Sequence, residues 1–105
     1  MTKVVNIKKD KCDVYIGRKK DSKYHFGNIA THKDSTLAPI KVATRKLAIQ
    51  AYKDWLEGIA YKEIEPERRQ WILDNIHTLH DKTLGCFCKP LACHGDILAE
   101  MADKL

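Results

Sequence analysis

One stretch late in the chain limits the possible architecture more than any other: Thr83-Leu84-Gly85-Cys86-Phe87-Cys88-Lys89-Pro90-Leu91-Ala92-Cys93-His94-Gly95-Asp96. Residues 83–88 read as a short buried strand and Pro90 as part of a turn. Beyond it, Ile97, Leu98, Met101 and Leu105 recur at helical spacing, which predicts a helix over about 94–103. Strand, turn and helix start in that order form the place where open α/β sheets take ligands. A ligand there lies outside the carboxyl end of a strand and faces the free N–H groups of a helix N-terminus. Three of the four cysteines fall within residues 86–93, and His94 follows at once.

The preceding chain supplies the rest of an α/β domain. Val4, Val5 and Ile7, then Val14 and Ile16, predict two strands near 3–8 and 12–16, as one bulged or hairpin-linked unit ended by Gly17-Arg18. From Lys19 to Pro39 no period is visible, and the segment reads as a long irregular loop. Its Tyr24-His25-Phe26 cluster argues for order and for a lid or binding role rather than disorder. Val42, Leu47, Ala48, Ala51, Tyr52, Trp55 and Leu56 trace one face of a helix that Gly58 would terminate. A second helix starts near Pro66, flanked by Glu65 and Glu67, with Trp71, Ile72 and Ile76 on its buried side. His77, His80 and Asp81 near its end read as a solvated terminus rather than a metal pair. The expected fold is a single compact α/β domain over 1–105, a small sheet packed with three helices in the order ββ–loop–ααβα.

Composition narrows the class of function. With 31% charged and 44% apolar residues the chain is an ordinary globular sequence. No apolar run approaches the roughly 20 residues of a membrane span. Met1-Thr2-Lys3-Val4-Val5-Asn6 does not look like a secretory signal, so a cytoplasmic location and free thiols are expected. The net charge of +5, with Arg18-Lys19-Lys20 and Lys23 as its main concentration, suits an anionic small molecule or a nucleic acid, and equally a plain solvated surface.

The chemistry expected of the late stretch is that of a small-ligand site. Arg18 leaves a strand end, Asn28 comes from the loop, and Gly95 and Asp96 stand where backbone N–H groups are free to hold a phosphate or carboxylate. Arg45, a cation in the first turn of a helix, opposes the helix dipole and is a candidate anion contact. Cys93 at a helix N-terminus is expected to be acidified towards thiolate, with His94 as acid or base. Asp96 also has a structural explanation as a cap. Group transfer and hydrolysis are the reaction classes that fit, and this reading needs no cofactor. The alternative is zinc held by Cys12, Cys86, Cys88 and Cys93, although one residue between Cys86 and Cys88 is fewer than the usual spacing. Otherwise Cys86 and Cys88 read as buried strand residues. A competing class is a nucleic-acid-binding module, in which Arg18-Lys19-Lys20 meet phosphates and Tyr24, His25 and Phe26 stack on bases.

Gly85-Cys86-Phe87-Cys88-Lys89-Pro90-Leu91-Ala92-Cys93-His94-Gly95-Asp96-Ile97-Leu98, with Val14 to Arg18, Phe26 to Asn28, Arg45 and Tyr52 to Leu56, resembles the domain-of-unknown-function family numbered 4326. That family comprises small proteins of bacteria and viruses, phages among them, and the resemblance spans nearly the whole chain. It implies that these residues form one site, and it implies no activity. A phage origin would add a host protein to the conceivable partners; no oligomeric state is indicated. Where the family tends towards an aromatic-Gly-Asn-Pro-Phe run, this chain has Phe26-Gly27-Asn28-Ile29-Ala30, so a differently shaped middle loop is expected.

Overall fold

The computed structural model describes residues 1–34 and 37–105. Its centre is β5 (Thr83–Cys86), flanked on one side by β1 (Lys3–Asn6) and on the other by β2 (Val14–Tyr15), all three parallel. Leu84 is opposite Val4 in one neighbour and Val14 in the other. The hairpin expected between the first two strands is therefore replaced by a crossover through residues 7–13, well below the dozen or so residues usual for a parallel return. Gly85 makes this tight path feasible. A Cβ there would lie 2.4 Å from Ile7 Cγ2 and 2.5 Å from Cys12 Sγ, so the crossover lies directly on the β5 backbone. Asp13 pins the return, donating its N–H to Thr83 O (2.8 Å) and accepting the Thr83 N–H on its carboxylate (2.9 Å).

The segment expected to be irregular carries a short parallel pair, β3 (Ala30–Thr31) with β4 (Ile40–Lys41). Two-residue strands are too short to show a period. The chain leading into β3 is held by the core: Tyr52 donates its hydroxyl to Phe26 O (2.7 Å), and Arg68 reaches the carbonyls of His25 and Gly27. Phe26 and Tyr24 lie against Trp71, with ring centroids 4.9 and 5.9 Å away.

Helix α1 (Arg45–Glu57) begins at Thr44, whose hydroxyl accepts the Leu47 N–H, and ends at Gly58. It buries Ala48, Ala51, Tyr52, Trp55 and Leu56; Leu47, expected on that face, is half exposed because it sits one position around the helix from the Ala48 row. Helix α2 (Pro66–Asn75) carries Pro66 at its start and continues as a 3-10 turn over Ile76–Leu79. Helix α3 (His94–Asp103) packs on the sheet through Leu98 and Ala102. The core of this mixed α/β domain gathers Trp55, Leu56, Ile72, Leu79, Leu84 and Leu98 from all three helices and the sheet, each at most 1% exposed. Among the described residues no helix is long and apolar enough to cross a membrane.

Candidate functional site

Beyond the carboxyl ends of β5 and β2 opens a cleft of about 500 Å³. The β5–α3 connection forms one wall, the start of α1 another, and the chain around β3 closes the third side. Arg18, His32, Lys33 and Arg45 line it, and among the described residues none that lines it is a carboxylate. Tyr15 and Phe87 stand at its mouth edge to face, 6.0 Å between ring centroids, with Leu37 and Leu91 beside them.

Three thiols form one end of this cleft. Cys86 and Cys93 are each 2% exposed, with their sulfurs 3.3 Å apart. Cys88, just past the end of β5, is half-buried and lines the cleft with Arg45. The expectation of a thiolate at Cys93 is corrected here. Hydrogen bonding from Cys93, then the Arg45 guanidinium, then Cys86 hold Cys88 down to about 5 against the opposing effect of burial. Cys93 moves the other way: its neighbouring thiols and its burial push it up and together outweigh the Gly95 amide directed at its sulfur from the helix N-terminus. The thiol favoured as the anion is thus Cys88, the half-buried one beside the arginine.

Arg45 thereby finds the anion that its place in the first helical turn demanded. It also donates to Ala92 O at 3.4 Å, which ties α1 to the turn before α3. The turn itself, with a cis Lys89–Pro90 bond, is held from β1 by Asn6 Nδ2 donating to Lys89 O at 2.8 Å. Arg18 is half-buried, donates from Nη1 to Asn28 O (3.1 Å) and Ala30 O (3.5 Å), and lines the cleft.

His94 borders the cleft, but its ring does not suit the acid–base role expected of it. Nε2 lies 2.7 Å from Ile16 O; a carbonyl only accepts, so Nε2 carries the proton and donates it there. Tyr52 meets the ring edge-on at 5.0 Å, and burial brings its pKa down to about 4. His94 is a neutral strut between α3 and the end of β2. Asn28 is likewise engaged internally, donating Nδ2 to Ala48 O and accepting the Ala30 N–H, both at 2.9 Å; it shapes the cleft wall rather than presenting its amide.

Gly95 and Asp96 lie outside the cleft lining. A Cβ on Gly95 would lie 2.6 Å from Ile16 Cδ1 and 3.0 Å from Val4 Cγ1, so this glycine serves close helix–sheet packing, not the approach of a ligand. Asp96 is the cap: it accepts the Cys93 N–H at 3.2 Å and pairs with Lys89 Nζ at 2.9 Å.

The four cysteines are not brought together. Cys12 lies over Gly85, on the face of β5 opposite to that of Leu84 and Cys86. Among the described residues, the one group of three ligand-type side chains with mutually close ligand atoms is His80, Asp81 and Asp103 on the surface, where Asp81 also pairs with the Met1 amine at 2.7 Å. His32 and Lys33 line the cleft although sequence reasoning did not single them out; Cys88 entered it only as a metal-ligand alternative or a buried strand residue. The Cys86/Cys88 spacing announced a shared face, but no local signal announced Arg45 beside it.

The chain belongs to the DUF4326 family, described as a domain of unknown function, whose model matches residues 2–104. It is also similar to a protein of Enterobacteria phage T4 described as an uncharacterized 12.4 kDa protein in the nrdA-td intergenic region, with 35% identity over 63 residues. That similarity covers 59% of this chain and 52% of the relative, so the chain spans about half the length of the curated protein it matches. No solved structure matches it.

Proposed function

We propose that this member of the DUF4326 family binds an anionic, nucleotide-like or phosphorylated small molecule in the cleft, and that Cys88 is the group poised to act on it. The observation that carries the reading is the charge of the lining: Arg18, Lys33 and Arg45 around about 500 Å³, with no carboxylate among the described lining residues. That volume is in the ~300–1,000 Å³ range of small-molecule sites. Two half-buried arginines offer paired donors to phosphate oxygens. Tyr15 and Phe87 supply aromatic faces at the mouth for a planar base. A thiolate beside bound phosphate would meet an electrophilic carbon or phosphorus, which leads to group transfer or hydrolysis.

Titration calorimetry with nucleoside monophosphates, the matching nucleosides and inorganic phosphate tests the reading. Saturable binding of a nucleotide, lost in Arg18→Ala and Arg45→Ala and absent for the nucleoside, is the expected result. Equal binding of nucleoside and nucleotide, or binding indifferent to both arginines, would overturn it.

A further inference from the structure

The mouth of the cleft carries more than a lone nucleotide would use. Phe87 is 56% exposed there, with Tyr15 of β2 at 6.0 Å between ring centroids. Lys8, just beyond β1, holds its Nζ 5.8 Å from the centre of the same ring. Because β1 and β2 flank β5 on opposite sides, Lys8 carries positive charge past the aromatic pair to ground outside the cleft lining. It belongs to a turn in which Lys9 and Asp10 donate their N–H groups to Asn6 O, both at 3.0 Å. That turn exposes Lys8 and Lys9 against one carboxylate, Asp10, and on the β2 side Arg18 is followed by exposed Lys19 and Lys20. Running outward, the order is cation, aromatic pair, cation: Arg18 and Arg45, then Tyr15 and Phe87, then Lys8. An unpaired nucleic-acid strand presents the matching alternation of phosphate, base and phosphate.

The inner end of the cleft sets which part of a strand fits. Cys86, Cys93 and His94 line it and are buried, and the β5–α3 connection, the start of α1 and the chain around β3 enclose it on three sides. A strand entering at the mouth meets these walls, so it enters by its end and not by an internal segment. About 500 Å³ accommodates one nucleotide but not a base pair, so that end is unpaired. We infer that the cleft takes the phosphorylated end of a single-stranded nucleic acid, an inference that rests on the reading of the cleft as a nucleotide site. The terminal phosphate lies between Arg18 and Arg45, its base meets Tyr15 and Phe87, and Lys8 holds the next phosphate out.

The test is fluorescence anisotropy of the full chain with oligothymidylates and oligouridylates about eight nucleotides long. The strands bear a phosphate at one end, at the other, or at neither, with the label opposite the phosphate, and thymidine and uridine monophosphates compete. A phosphorylated strand is expected to bind about tenfold or more tighter than its unphosphorylated form and than the matching monophosphate. Arg18→Ala and Arg45→Ala should abolish the preference for a terminal phosphate. Lys8→Ala, at an exposed position, should weaken strand binding and lower the slope of log affinity against log salt by about 0.7, with monophosphate binding unchanged. Phe87→Ala should weaken strand binding about fivefold or more. The comparison of strands on wild type needs no variant, so the inference stays open to refutation if a substituted chain fails to fold. Monophosphates that bind through both arginines while strands bind no tighter would overturn the strand and leave the nucleotide site standing; no binding of either would remove both. Strands bound equally with and without a terminal phosphate, or a blunt duplex bound as well as the single strand, would also overturn it.

Discussion

Arg68 and Arg45 are both helical arginines, and their surroundings separate a structural cation from a functional one. Arg68 is 2% exposed, lies 4.9 Å above the Trp55 ring, and distributes its donors to His25 O (3.0 Å), Gly27 O (2.7 Å) and the Glu65 carboxylate (3.0 Å). Every neighbour is a fixed part of the protein, so the guanidinium fastens the middle loop to α2. Arg45 is half-buried, makes one long bond to Ala92 O, and otherwise faces Cys88 and open cleft. A cation with donors left over beside an anion and an open cleft belongs to recognition; a buried one bonded to loop carbonyls belongs to the fold.

Substitution should split the two sharply. Arg68→Ala strands two loop carbonyls and empties the space over Trp55, so a loss of about 3 kcal/mol is expected in denaturant unfolding. Arg45→Ala should stay within about 0.5 kcal/mol of wild type in the same measurement. Equal losses would erase the distinction.

The strut residue gives the next largest effect. His94 titrates at about 4 in the fold, against about 6.5 when exposed. Below 6.5 the unfolded chain therefore binds a proton that the native chain refuses, and stability falls as pH drops from about 6.5 to about 4. The buried ring contributes on the order of 3 kcal/mol to that fall. His25, also brought down to about 4 by burial and Arg68 but only partly buried, acts in the same direction. Denaturation midpoints across this window should flatten in His94→Gln; an unchanged slope would argue against a buried neutral His94.

Gly95→Ala places a methyl within 2.6 Å of Ile16 and should cost about 2 kcal/mol by forcing α3 off the sheet. If Gly95 were instead a ligand contact, stability would hold and nucleotide binding alone would drop. The smallest stability effect and the sharpest functional one meet in Arg45→Ala, which should raise the Cys88 pKa by about one unit while leaving the fold intact.

What could be read in advance depended on whether the cause was local. A strand expected over 83–88, the turn at Pro90 and the helix 94–103 follow from spacing within one stretch; the structure has the turn and the helix there and ends the strand two residues early, at Cys86. The parallel crossover was not legible, because it rests on Cys12 and Ile7 lying on Gly85, a contact across more than 70 residues. No local signal marks Arg68, because the carbonyls it binds, those of His25 and Gly27, come from more than 40 residues away. The surroundings of Cys93 were hidden for the same kind of reason. A helix N-terminus acidifies a thiol, yet Arg45 and the sulfur hydrogen bonds, assembled only by the fold, place the charge on Cys88. The cleft could be foreseen from strand end and helix start; which of its side chains were already engaged with the backbone could not.

The most direct test of this account is the pH dependence of alkylation by iodoacetamide, with each modified cysteine located by mass mapping. The account predicts that Cys88 is modified first and that its rate holds down to about pH 5 before falling about tenfold per unit below. Arg45→Ala should move that midpoint upward. Modification led by Cys93, or a Cys88 rate already falling near the ordinary thiol pKa of about 8.5, would contradict it.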